Sequence, residues 1–366
     1  MRPKSKVDIT RLVRPHLLDV QTYEAVDPPE VLAERAGIPP EKVIKLNGNE
    51  NPYGASPKAV AALATTPVHI YPDPLQRKMR AALSAYTGMH PDRIVAGAGS
   101  DELIDLLFRL FISPGDTILD CVPTFGMYSF FARIVDGRVA SIPRDEVFDL
   151  DVDAIRGAVD GRAKLIFVSS PNNPTGNVAT ESQVRALLET GLVVVIDEAY
   201  YEFCNQTVAP LVLHHENLVV LRTLSKWAGL AGLRVGYGIM SPRLVKHILD
   251  IRSPYSVSVA AEAALLASLQ DAPALLANVA KIVRERERMF SLLRGIAGVT
   301  PWPSSGNYIL CQFAPGRAQE VFHGLARRGI FVRNYRSERL RDCFRIGVGM
   351  PLQTDAVVAA IRDLLA

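Results

Sequence analysis

Leu221-Arg-Thr-Leu-Ser-Lys-Trp-Ala-Gly-Leu-Ala-Gly-Leu-Arg-Val-Gly-Tyr237 places one lysine just after an apolar run and one arginine eight residues later. The residues before it, Asn217-Leu-Val-Val-Leu-Arg222, have the length and apolarity of a buried strand, so Thr223-Leu-Ser-Lys226 is the turn that follows. Such turns carry side chains to the carboxyl edge of an α/β sheet, where ligands bind. A lysine in that cleft loses charge by desolvation and becomes nucleophilic, the state that imine formation with an aldehyde requires. Gly229, Gly232 and Gly236 make the next segment close-packed and irregular, and Arg234 returns a guanidinium to the same cleft. The competing reading is a solvated surface lysine, the common fate of this residue type.

Outward from this stretch, strand and helix patterns alternate. Strands are expected near 93–96, 117–122, 138–142, 164–169, 192–197, 218–222 and 235–240, and helices near 75–86, 103–111, 124–135, 151–159, 180–190 and 241–252. The alternation predicts an α/β fold with a mostly parallel, seven-stranded sheet between helices. Beyond about residue 250 the pattern changes. Residues 256–293 read as a long helix interrupted at Pro273, strands are expected at 306–313, 329–333 and 343–348 around a helix at 317–328, and a helix at 353–365 closes the chain. The 366 residues exceed what one core usually serves. We therefore divide the chain into an arm, 1–45, a large domain, 46–245, and a small α+β domain, 246–366. The proline-rich arm carries one short helix at 31–36 and is expected to pack on the small domain or on a partner subunit.

Lysine and arginine exceed aspartate and glutamate by 41 − 38 = 3, with the positive charges scattered, so no nucleic-acid or membrane surface follows from charge. The first residues lack an apolar signal-type core, and no run of about 18 apolar residues occurs, which implies a soluble, cytoplasmic protein. Cys121, Cys204, Cys311 and Cys343 form no C-x-x-C pair and read as reduced core thiols.

Three further stretches carry polar groups to strand ends. Gly97-Ala-Gly-Ser-Asp-Glu102 joins a strand to a helix, and its glycines and helix N-terminus suit an anion; Ser100 or Asp101 reads equally well as a plain N-cap. Val168-Ser-Ser-Pro-Asn-Asn-Pro-Thr-Gly176 holds Asn173, an amide donor, in a rigid turn. Leu192-Val-Val-Val-Ile-Asp-Glu-Ala-Tyr200 is a wholly apolar strand ending in Asp197, a carboxylate that burial makes costly unless a cation or strong donor meets it. A metal ligand is the rival role for Asp197, and Glu198 points to the other face. The loop Leu46-Asn-Gly-Asn-Glu-Asn-Pro-Tyr-Gly54 suits close approach to a ligand.

A lysine, a carboxylate, an asparagine, a tyrosine and an anion cup at one sheet edge are what pyridoxal phosphate needs. The chain resembles the fold-type I pyridoxal-phosphate aminotransferases of the class II subfamily and, within them, the histidinol-phosphate aminotransferase family. The resemblance runs through Asn-Glu-Asn-Pro at 49–52, Tyr-Pro at 71–72, Gly-Ser-Asp-Glu at 99–102, Pro-Thr-Phe-Gly-Met-Tyr at 123–128 and Pro-Asn-Asn-Pro-Thr-Gly at 171–176. It continues through Asp-Glu-Ala-Tyr at 197–200, Thr-Leu-Ser-Lys at 223–226, Gly-Leu-Arg-Val-Gly at 232–236 and Phe-Arg-Ile-Gly-Val-Gly at 344–349. It departs at Thr22-Tyr23, where the family usually has Pro-Tyr, and at Asn334, where it usually has Asp.

The resemblance implies that Lys226 binds the cofactor covalently and shuttles a proton, that Asp197 pairs with its ring nitrogen, and that Asn173 and Tyr200 bond its phenolic oxygen. Phe125 would stack on the ring. Gly99, Ser100, Asp101, Ser225 and Arg234 would hold the phosphate, with Tyr71 reaching it from the partner of a homodimer. Arg345 and Arg333 would bind the substrate's anionic groups, with Asn173, Gly48 and Asn307 beside them and Tyr23 approaching across the dimer. The implied reaction is amino transfer between histidinol phosphate and 2-oxoglutarate, in histidine biosynthesis. A threonine-phosphate decarboxylase of cobalamin biosynthesis or an aromatic aminotransferase would reuse nearly all of these motifs.

Overall fold

A computed structural model describes residues 7–366; residues 1–6 of the expected arm lie outside the described residues. The arm and its sequel hold α1 (Pro29–Ala36), β1 (Ile44–Lys45), α2 (Pro57–Ala64) and α3 (Arg77–Thr87). The central region then alternates: β2 (Ile94–Gly97), α4 (Ser100–Phe111), β3 (Thr117–Val122), α5 (Met127–Ile134), β4 (Arg138–Pro143), α6 (Val152–Gly157), β5 (Ala163–Ser169), α7 (Glu181–Leu188), β6 (Val193–Asp197), β7 (Leu218–Thr223), β8 (Gly236–Ile239) and α8 (Pro242–Ile251). After it come α9 (Val259–Gln270), α10 (Ala272–Arg294), β9 (Val299–Pro301), β10 (Tyr308–Phe313), α11 (Arg317–Arg327), β11 (Ile330–Phe331), β12 (Arg333–Asn334), β13 (Cys343–Gly347) and α12 (Pro351–Leu365).

Seven strands form the main sheet in the order β2-β8-β7-β6-β5-β3-β4. The pairings from β7 to β4 are parallel, and β8 runs antiparallel to both of its neighbours. Two reversals cancel, so β2 points the same way as β7. The ends of β2, β3, β5, β6 and β7 therefore share one edge with the entrance to β8. This topology brings Gly99, Asn173, Asp197, Lys226 and Arg234 together from segments far apart in the chain.

Alternation along each strand divides the apolar side chains between two faces. On one face Val95, Phe167, Val195 and Val219 pack under α4, α5 and α8, with Leu103, Ile104, Leu107 and Phe108 of α4 wholly buried. Each such side chain contributes about 1.5–3 kcal/mol by leaving water. On the other face Ile166, Val168, Val194 and Ile196 meet α3, α7, α9 and α10 in a core continuous with Ile309, Phe344 and Val357 of the C-terminal region. Covering both faces is what makes β5, β6 and β7 apolar throughout.

The C-terminal sheet has the order β12-β13-β10-β9, all antiparallel. Here the structure corrects two expectations. The strand expected at 329–333 is two strands in two sheets: Ile330 and Phe331 pair in parallel with Ile44 and Lys45, whereas Arg333 and Asn334 pair with β13. The long helix is broken at Asp271, not at Pro273, which sits in the first turn of α10, where its missing N–H has no intrahelical partner to lose. Cys204 is partly exposed rather than a core thiol; Cys121, Cys311 and Cys343 are buried, and all four are free. No single helix among the described residues is long and apolar enough to cross a membrane.

The face opposite Asp197 carries a buried ion pair. Glu198 Oε2 accepts from Arg222 Nε at 2.9 Å and lies 2.8 Å from its Nη2, with both side chains at most 4% exposed. Thr207 joins them through its hydroxyl. Substituting Glu198→Ala strands the guanidinium in the core and should cost about 3–5 kcal/mol, read as a fall in the urea midpoint.

Candidate active site

The lysine turn is fixed from both sides. Thr223 Oγ1 accepts from the Ser225 N–H at 3.1 Å and donates to Ser225 Oγ at 3.0 Å. Asn51 Nδ2 donates to the Trp227 carbonyl at 2.8 Å, and a Cβ at Gly229, where φ is +69°, would overlap the Gly54 carbonyl. The 46–54 loop thus lies directly on the lysine turn, and the Lys226 amine donates to the Gly48 carbonyl at 3.2 Å. Burial, then the positive charge of Arg345, lowers the amine from its ordinary value to about 8; Glu50 and Asp101 oppose the shift.

Asp197, 4% exposed, accepts from the Tyr128 hydroxyl at 2.7 Å on Oδ2 and from the Ala199 N–H at 3.1 Å on Oδ1. Burial pushes its carboxyl up to about 6, with the Tyr128 bond the largest opposing effect. Across the cleft, Asn49 Nδ2 donates to the Tyr200 hydroxyl at 3.0 Å, and burial raises that phenol to about 12. Asn173 Oδ1 accepts from Arg345 Nη1 at 2.5 Å, so its amide nitrogen is the end left to face a ligand. Its neighbour Asn172 is bound into the scaffold, through Thr124, Thr175 and the Pro123 carbonyl.

The anion cup lies at the start of α4. Gly99, with φ +79°, is the N-cap, and no side chain caps the helix; the expected alternative of Ser100 or Asp101 as N-cap is therefore wrong, because both are already helical. A Cβ at Gly99 would come within 2.6 Å of Arg234 Nη2, and one at Gly236 within 2.6 Å of the Ser100 nitrogen, so glycine is needed for the closure. Arg234, itself at φ +51°, donates to Ser225 Oγ at 3.3 Å and to Asp101 Oδ2 at 2.9 Å. Helix N–H groups, a hydroxyl and a guanidinium fit a phosphate here. With an enclosed amine and a buried carboxylate in the same cleft, the residues fit pyridoxal phosphate.

Arg333 and Arg345 are directly opposed across the β12–β13 pair, which puts their side chains on one face. Arg345 is 5% exposed and also donates to the Asn47 carbonyl at 2.7 Å; its Nε has no protein partner. Asn307 Nδ2 donates to the Asn49 carbonyl at 3.0 Å, which leaves its buried Oδ1 free.

Tyr23, expected to approach the substrate across a dimer, has neighbours within its own chain. It packs edge-on at 6.0 Å against Phe125 of its own chain, with the Arg333 guanidinium 5.7 Å from its ring. The physical reason is a tether: Arg333 and Arg336 bind the carbonyl and the carboxylate of Glu24. The arm also reaches α5, where His16 Nε2 lies 3.3 Å from the Ile134 carbonyl. Tyr71 lies apart, 78% exposed and stacked on Tyr255 at 4.5 Å.

Residues 41–361 match the family model described as aminotransferase class I and II. The chain belongs to the class I and II aminotransferases. It is similar to the histidinol-phosphate aminotransferase of Roseiflexus castenholzii, 47% identical over 97% of this chain and 99% of that one. It is also similar to the chloroplastic enzyme of that name from Nicotiana tabacum, 43% identical over 98% and 88%. Among solved structures it is similar to histidinol-phosphate aminotransferase from Sinorhizobium meliloti in complex with pyridoxal-5'-phosphate, with a TM-score of 0.86 and 25% identity over 93% of this chain and 95% of that one.

In this aminotransferase, reasoning from sequence missed Tyr128 and Asn49, which hold Asp197 and Tyr200. The position of Tyr128 on the helix after Pro123-Thr-Phe was the available signal. The perturbed amine makes a direct expectation: the rate of Lys226 modification by formaldehyde and a hydride donor should be half-maximal near pH 8, against about 10.4 for an unperturbed lysine. Arg345→Met should move that midpoint upward, because the charge that disfavours the ammonium is gone. Peptide mass spectrometry across pH measures both.

Proposed function

We propose that this aminotransferase uses pyridoxal phosphate to convert histidinol phosphate and 2-oxoglutarate into imidazole-acetol phosphate and glutamate. The observation that carries the substrate is Arg345, whose charge reaches the Lys226 amine, with Arg333 directly opposite it on the neighbouring strand. Near-full-length similarity to proteins of that name supports it.

When bound, the cofactor supplies an aldehyde for amine condensation and a protonated ring that draws electrons from the substrate carbon. Lys226, lowered to about 8, would be available as the free amine and would hold and move the proton at the substrate carbon. Asp197, with both oxygens held, would be the anionic partner of the ring nitrogen. Tyr200 and the Asn173 amide would bond the phenolic oxygen, and Phe125 would cover the ring. Gly99, Ser100 and the Asp101 backbone with Ser225 and Arg234 would hold the phosphate. Arg345 orients a carboxylate or phosphate of the substrate, Arg333 adds a second fork, and Tyr23, Gly48 and Asn307 line the same space.

We further infer a homodimer. Val60, Val68, Ile70, Tyr71 and Tyr255 are large apolar side chains between 45% and 78% exposed, on or beside the loop that the resemblance carries to the partner's phosphate. Sedimentation should give a dimer under assay conditions; an active monomer would refute it.

The substrate is tested with a panel: 2-oxoglutarate-dependent deamination of histidinol phosphate, phenylalanine and tyrosine, with CO2 release from threonine phosphate. Histidinol phosphate should be the best substrate and CO2 should not form. Two forked guanidiniums favour a dianion over a single carboxylate, so Arg333→Ala should lower kcat/KM for histidinol phosphate about tenfold more than for phenylalanine. Equal losses would point to an aromatic aminotransferase.

A further inference from the structure

We infer that Tyr128 is the positioning residue that aims the Asp197 carboxylate at the cofactor's ring nitrogen, an inference that rests on the pyridoxal phosphate reading above. Tyr128 lies in the first turn of α5 and is wholly buried. Its ring stacks on Phe167 of β5 at 4.7 Å and 16° and meets Phe125 edge-on at 5.6 Å. Two aromatic neighbours in different planes fix the ring, so its hydroxyl has one direction, and that direction ends on Asp197 Oδ2 at 2.7 Å.

A phenylalanine would fill this space equally well. The hydroxyl is therefore not there for volume, and a hydroxyl buried in an aromatic layer is costly unless it is bonded. Among the described residues Tyr128 supplies the one side-chain donor to Asp197; the other bond comes from the Ala199 backbone. With one donor on each oxygen the carboxylate is held against turning about its terminal torsion.

The charges around the pair make this donor matter. Asp101 of α4 and Glu198 beyond β6 both raise the proton affinity of Asp197, adding to burial, whereas Tyr128 lowers it. Facing Tyr128 itself are Asp197, the Ser169 hydroxyl and Asp120 of β3. Asp120 is pushed up to about 7 by burial, against the charges of Arg144 and Arg133. Buried beside these acids, the Tyr128 phenol is held well above its ordinary value and stays a donor throughout the working pH range.

Removing the hydroxyl leaves Asp197 with one donor, freer to rotate and more readily protonated. A neutral carboxyl stabilises a protonated ring nitrogen less, so the ring nitrogen should lose its proton at lower pH. The test loads wild type and Tyr128→Phe with pyridoxal phosphate labelled with 15N in the ring, and follows the nitrogen shift from pH 6 to 9 together with the cofactor dissociation constant. Tyr128→Phe should titrate at least one pH unit lower than wild type and bind the cofactor about tenfold more weakly. Phe167→Leu, which loosens the stack and keeps the hydroxyl, should shift the ring-nitrogen titration in the same direction as Tyr128→Phe but by less, because the donor is retained and only its aim is relaxed. A wild-type titration in Tyr128→Phe would overturn the inference and leave the cofactor reading standing. A wild-type protein that gains no visible absorption from pyridoxal phosphate would overturn both.

Discussion

The Lys226 amine and the Asp197 carboxylate sit at one edge of one sheet, and each directs its hydrogen bonds elsewhere: the amine to the Gly48 carbonyl, the carboxylate to Tyr128 and Ala199. Burial then shifts them in opposite senses, the amine down to about 8 and the carboxyl up to about 6. Had they paired with each other, each would have stabilised the other's charge and the amine would be a poor nucleophile. Keeping them apart leaves a reactive amine and an anion able to accept a cationic ring between them.

That separation depends on the sheet. Asp197 ends β6, and Lys226 comes three residues after β7, so the parallel β6–β7 pair spaces them. Glu198, next in sequence to Asp197, falls on the opposite face and is neutralised by Arg222 from β7. One strand end thus supplies an acid neutralised in the core and an acid at the cleft. The reversed β8 completes the edge, because its entry segment carries Arg234 back to the start of α4, where the glycines at 99 and 236 permit contact.

The loop at 46–54 links the two regions of the chain. Asn51 holds the lysine turn, Asn49 holds Tyr200, the Asn49 carbonyl accepts from Asn307, and the Asn47 carbonyl accepts from Arg345. A short polar segment therefore meets both Tyr200 and Arg345 across the cleft, and its side-chain bonds account for the asparagines at 49 and 51. Strand β1, just before it, pairs with β11, so the loop is anchored at its entrance to the C-terminal region.

The sequence by itself determined the sheet class, the strand ends and the residues those ends expose, because apolar runs of strand length punctuated by glycine, proline and asparagine are local signals. Lys226, Asp197, Asn173 and the Gly99 turn were legible for that reason. Tertiary structure alone decided the split of 330–334 between two sheets, since the partners of Ile330 and Phe331 lie at Ile44 and Lys45. It alone decided that Tyr23 meets Phe125 of its own chain, which depends on Glu24 reaching Arg333 and Arg336. It alone showed that Tyr128 bonds Asp197 rather than filling core. In sequence a buried tyrosine and a buried phenylalanine share one apolar pattern, and only the neighbour that the fold places at the hydroxyl, 69 residues along the chain, distinguishes them.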